Sequence, residues 1–162
     1  APRLIKSVKG LKVMPKILNL EFGEHFQLEM VKTSAEGDAD GVIIANRMYK
    51  PEYASTHGGI ELKKRNMKLV KNVRANGLDI PISATGGVYT GKDALDYIEA
   101  GAQNVQLLSY ILGKWSKPVK VKKEKFELAL YEILLNPQHG FVAAMLDLNK
   151  NDVSSVRDFY NR

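Results

Sequence analysis

Apolar residues fall in short blocks separated by longer amphipathic stretches. "KVMPKIL" (12–18), "GVIIAN" (41–46), "IPISA" (80–84) and "NVQLLS" (104–109) read as four strands. The stretch 24–37 reads as a helix with Phe26, Met30 and Val31 near one face and Gly37 as its stop. A second helix over 62–77 carries Leu62, Leu69, Val70 and Val73 at helical spacing and ends in Asn76-Gly77. Thr90 is placed to cap a third, which runs to Gly101, and Asp93 three residues on completes a capping box. The stretch 122–136 predicts a fourth, stopped by Pro137, and the helical tail 141–162 is expected to add a short helix after Asn151.

None of the four strands shows clear apolar–polar alternation. A parallel sheet covered by helices is therefore expected, built from right-handed βαβ units. An open doubly wound sheet and part of a (β/α)8 barrel both satisfy this α/β pattern. A complete barrel takes about 250 residues. A chain of 162 residues, taken as a single domain over 1–162, has room for about four units of the TIM-barrel type.

Composition narrows the picture. With 44% hydrophobic and 26% charged residues the chain is expected to be a soluble globular protein. No apolar run approaches the roughly 20 residues of a membrane span, and "APRLIKSVKGLKV" is too basic and broken for a signal peptide. The absence of cysteine removes disulfides and thiol nucleophiles and fits a cytoplasmic location. The net charge of +6 favours anionic ligands. Lys114, Lys117, Lys120, Lys122, Lys123 and Lys125 cluster, but Trp115 is the sole aromatic among them, so a solvated connection is expected rather than a nucleic-acid surface. His25, His57 and His139 have no metal-ligand spacing, so no metal is expected; His57 is set apart only by the adjoining Gly58-Gly59.

The chemistry gathers at strand exits. Gly86-Gly87 lies between a strand and a helix, where the missing side chains let backbone amides approach an anion. Ser109, at the exit of the next strand, adds a hydroxyl and an N–H. Together they read as a phosphate cradle of the kind barrels build after their last two strands.

From Ile80 to Tyr110 the sequence "IPISATGGVYTGKDALDYIEAGAQNVQLLSY" resembles the C-terminal barrel segment of the dihydroorotate dehydrogenases. Gly86, Gly87, Gly91, Asp93, Ala94, Gly101, Ala102, Val105 and Gln106 match the family pattern in order and spacing. "MPKILN", "GVIIANRM" and "THGGIE" extend the likeness back to about residue 12 and on to about 136. The resemblance implies the C-terminal half of a (β/α)8 barrel that binds FMN and oxidises dihydroorotate to orotate in pyrimidine biosynthesis. It implies that Gly86, Gly87, Leu108 and Ser109 hold the FMN phosphate, that Lys16 and Gly59 meet the flavin, and that Asn46 binds the substrate.

The chain also departs from the pattern. Ala45 replaces a Thr, Ala84 a Gly, and Glu61-Leu62 a Ser-Gly in the flavin-contacting loop. The family's proton-abstracting Cys or Ser belongs to the N-terminal half, so no catalytic base is expected in this chain, and its partner is expected to be a complementary half or a second copy. Two alternatives stand beside this reading: a non-catalytic half-barrel that keeps a phosphate or FMN site, and a flavoprotein like the tRNA dihydrouridine synthases.

Overall fold

The computed structural model describes residues 10–19, 23–50, 55–112 and 123–148. The chain order is β1 (Lys16–Asn19), α1 (Gly23–Glu36), β2 (Val42–Lys50), β3 (Ser55–His57), α2 (Glu61–Ala75), β4 (Ile82–Thr85), α3 (Gly91–Glu99), β5 (Asn104–Gln106), α4 (Ser109–Leu112), α5 (Lys123–Leu134) and α6 (Phe141–Leu148). Strands β1, β2, β4 and β5 lie side by side in that order, every pair parallel.

The two faces of the sheet differ sharply. The row Ile17–Ile44–Ala84–Val105 runs across all four strands and joins the core beneath α1, α2 and α3. The next row, Lys16–Ile43–Ser83–Asn104, faces the opposite way because successive side chains alternate. That face is mostly polar. Ser83 donates to Asn104 Oδ1 at 2.5 Å and accepts from Gln106 Nε2 at 2.8 Å. Of the two architectures the sequence allows, an open doubly wound sheet and part of a barrel, this facing fits the barrel. An apolar row backs onto helices and a polar row faces away from them, as in a wall of a barrel with an outer and an inner side.

Further differences have local causes. β2 runs on to Lys50 because β3 pairs with it antiparallel, Met48 against His57 and Lys50 against Ser55. On α1 the buried residues are Gln27, Val31 and Ser34, and Phe26 is turned outward. Ser34 tolerates burial because its hydroxyl donates to Met30 O at 2.8 Å. β5 stops at Gln106, so residues 107–108 form an exit turn into α4. In the tail, α6 already begins at Phe141, earlier than the helix expected after Asn151. Lys114 to Lys122 and that later helix lie outside the described residues.

α5 and α6 pack on α3. Gly91 makes this possible: a Cβ there would lie 1.7 Å from the backbone nitrogen of Phe141. Ala129 and Ile133 of α5 are buried, whereas Phe126, Leu128, Leu130, Tyr131, Leu134 and Leu135 are exposed. Among the described residues no helix is long and apolar enough to cross a membrane.

Candidate functional site

Thr85 pairs with Gln106 at the last rung of β4 and β5. Gly86 and Leu107 therefore leave the sheet side by side at its C-terminal edge, on strands roughly 4.8 Å apart. Gly86 and Gly87 have φ of +95° and +70°, which side-chain-bearing residues rarely adopt. Their missing Cβ atoms face the first turn of α2. A Cβ on Gly86 would sit 3.1 Å from Leu62 Cβ, and one on Gly87 would sit 2.8 Å from Lys63 Cβ and 3.1 Å from Ile60 O. The double glycine thus lets the turn lie flat against a helix.

The amides tell more. Among the described residues, no acceptor is found for the N–H groups of Gly87, Val88 and Leu108, whereas the Gly86 N–H faces Gln106 O across the last rung. Gly87 and Val88 are nevertheless buried. Buried amides without partners are rare, because each costs about as much as a lost hydrogen bond. An anion held between the two exits satisfies several at once, so the residues present fit a phosphate.

The other predicted residues gather around this edge to different degrees. Gly59 has φ +111°, and the Tyr89 hydroxyl lies 3.5 Å from where its Cβ would stand, so the Gly58-Gly59 loop adjoins the β4 exit. Leu108 is half exposed in the exit turn. Ser109 opens α4, and Asn46 lies two residues past Ile44, which pairs with Ala84; the side chains of both lie outside the description. His57 is in β3, its side chain likewise outside. Lys16 is exposed on the polar face, in register with Ser83 and two strands from it, a separation of about 10 Å.

Beneath the turn, Lys63 bridges Asp93 and, at 2.6 Å, Asp96. Asp93 also accepts from the amides of Tyr89 at 3.0 Å and Thr90 at 2.8 Å, while Thr90 Oγ1 takes the Asp93 amide at 3.1 Å. The expected capping box is present and doubles as the clamp that fixes the chain after the glycines. Burial pushes the Asp93 carboxyl up, but hydrogen bonds from Lys63, Tyr89 and Thr90 outweigh it and hold the group below the usual range. Asp96 behaves alike, with Lys63 and Lys92 opposing its burial. Burial pulls Lys63 down, and its bonds to the two aspartates outweigh that and hold it above the ordinary lysine range.

A pH dependence follows. Carboxylates with depressed folded values stabilise the fold fully above their unfolded value of about 3.9 and lose that contribution as pH falls through the folded values. Lys63, raised, loses its contribution only as pH climbs past about 10.4. Denaturant titrations of the wild type and Lys63→Met across the acid range should show the wild-type advantage shrinking below about pH 4. An advantage that persists unchanged to lower pH would disprove the clamp.

Two residues overlooked in the sequence complete the site. Asn66, fully buried, donates from Nδ2 to Ala45 O and, at 2.7 Å, to Thr85 O, bolting the ends of β2 and β4 to α2. Tyr97, also fully buried, donates to Gly86 O at 2.8 Å. Burial pushes the Tyr97 hydroxyl above its ordinary value. Asn66 was detectable as a polar residue inside the Leu62–Leu69–Val73 stripe. Tyr97 gave no comparable sign.

Known proteins match this arrangement. The sequence profile described as dihydroorotate dehydrogenase matches residues 13–128. The catalytic subunit of dihydroorotate dehydrogenase B (NAD(+)) from Alkaliphilus metalliredigens is 32% identical over 112 residues, 62% of this chain and 37% of that protein. The subunit of the same name from Staphylococcus carnosus is 34% identical over 117 residues, 65% and 38% of the two chains. The chain thus spans little more than a third of these relatives. A crystal structure of DHODH from Eimeria tenella in complex with ferulenol superposes with a TM-score of 0.53 at 24% identity, over 62% of this chain and 29% of that one, a likeness of fold. The sheet described above is accordingly part of a TIM-barrel architecture. With more than half its length inside the profile, the chain belongs to the dihydroorotate dehydrogenase family.

Proposed function

We propose that this chain forms the C-terminal, FMN-holding part of a dihydroorotate-oxidising barrel. The observation that carries this reading is that, among the described residues, the amides of Gly87, Val88 and Leu108 find no acceptor where β4 and β5 leave the sheet together. Gly86, Gly87, Leu108 and Ser109 would hold the FMN phosphate, and Gly59 would lie beside the ribityl chain. Lys16, about 10 Å from Ser83 across the polar face, would meet the flavin ring with its positive charge. Asn46, level with the β4 exit, would bind the substrate. FMN, when bound, supplies the hydride acceptor for oxidation of dihydroorotate to orotate. The polar sheet face and the exposed apolar side of α5 support a further part: the preceding barrel strands, from the same or a second polypeptide, would cover them.

A second reading has one specific observation in its favour. α2 starts at Glu61, so the Gly58-Gly59 loop runs directly into a helix where the family resemblance would extend it by Ser-Gly. A half-barrel that binds the phosphate without catalysis would tolerate that change. Fluorescence titration with FMN, followed by anaerobic addition of dihydroorotate with the complementary barrel half present, separates the two. FMN that binds and bleaches supports the enzyme; FMN that binds and never bleaches supports the module. A protein that ignores FMN contradicts both.

A further inference from the structure

Two buried side chains hold the carbonyls at the turn of Gly86-Gly87. Asn66 Nδ2 reaches Thr85 O at 2.7 Å, and the Tyr97 hydroxyl reaches Gly86 O at 2.8 Å. The peptide bonds here are trans, as every described bond is. In a planar trans peptide the C=O and the following N–H point in opposite directions. Capturing the Thr85 carbonyl on the β2 side therefore fixes the Gly86 N–H toward β5, where the Thr85–Gln106 rung places the Gln106 carbonyl. Capturing the Gly86 carbonyl from α3 aims the Gly87 N–H away from that helix.

We propose that Asn66 and Tyr97 are positioning residues that together orient the Gly87 amide toward a phosphate monoester, Asn66 fixing the peptide between Thr85 and Gly86 and Tyr97 the one between Gly86 and Gly87. The proposal rests on the phosphate reading of the β4 and β5 exits and adds to it the device that sets amide direction. Both glycines have positive φ and no side chain to restrict them, so their peptide planes need such an anchor. Asn66 suits the task because one amide group supplies two donors, one to Thr85 O and one to Ala45 O. That ties the β4 turn to the end of β2. Neither side chain touches the ligand in this arrangement. Each acts through the backbone carbonyl it holds.

The test compares FMN with riboflavin, which lacks the phosphate, on the full chain and on Tyr97→Phe and Asn66→Leu. Tyr97→Phe deletes one oxygen and preserves the packing, so it remains folded and interpretable if Asn66→Leu does not. The wild type should prefer FMN, with inorganic phosphate competing. Each variant should lose about tenfold of that preference, the value of one charge-assisted contact misdirected, with riboflavin affinity unchanged. A merely structural role would weaken both flavins together. Variants that keep the full FMN preference overturn the positioning role and leave the phosphate reading standing. A wild type that neither prefers FMN nor responds to phosphate overturns the two together.

Discussion

Arg74→Ala should lower the stability of the fold by about 3 kcal/mol, a substantial part of the 5–15 kcal/mol typical of a domain. Arg74 lies in the last turn of α2 and spreads its guanidinium over the opposite edge of the sheet from the glycine turn. Its Nη1 donates to Leu78 O at 2.6 Å and Ile80 O at 3.0 Å. Nε and Nη2 reach Gly101 O at 3.0 and 2.9 Å, and Nη2 also reaches Gln103 Oε1 at 3.1 Å. One side chain thus ties the entry to β4 to the turn before β5. Gly101 completes the fit, because a Cβ there would lie 2.6 Å from Arg74 Cγ. Removing the guanidinium strands three carbonyls at once, and the cost of an orphaned acceptor exceeds the mean value of a hydrogen bond. Arg74→Lys should recover little, since a point charge cannot reproduce the fork. Denaturant midpoints for the three proteins decide the matter, and near-equal midpoints would refute this role.

Gly87→Val should reduce FMN affinity by about 100-fold, or about 2.7 kcal/mol, at a smaller cost in stability. At φ +70° a β-branched side chain is strained, and its Cβ would meet Lys63 Cβ at 2.8 Å and Ile60 O at 3.1 Å. The turn must rebuild, and the amides of residues 87 and 88 are then displaced. Charge-assisted bonds to a phosphate are the strong kind, so losing one or two of them accounts for the effect. Riboflavin should bind variant and wild type alike. Equal losses for both flavins would assign the defect to the fold rather than to the cradle.

Much of this was legible in the residues. The repeating block of apolar strand, amphipathic helix and glycine stop located β4, α2 and α3, and Thr90 with Asp93 announced the cap that was found. The Leu62–Leu69–Val70–Val73 stripe is buried as its spacing requires. Facing was harder to read. "KVMPKIL" and "IPISA" hold too few polar residues to display alternation, so only strand pairing revealed that Lys16, Ser83 and Asn104 share one side. The small polar residues Gln27 and Ser34 displaced Phe26 from the core of α1 because local hydrogen bonding, as at Ser34, makes burial tolerable; hydropathy cannot register that. The glycine pair was found by its position, but the partners that aim its peptides come from α2 and α3 and depend on contacts spanning 11 to 19 residues.

An amide-resolved NMR titration of the full chain with FMN probes the cradle most directly. The account predicts that the Gly87, Val88, Leu108 and Ser109 amides move together toward the frequencies of phosphate-bonded N–H groups, and that riboflavin leaves them where they are. Saturable FMN binding that shifts other amides, such as those along the exposed lysines of α2, and spares these four would contradict it.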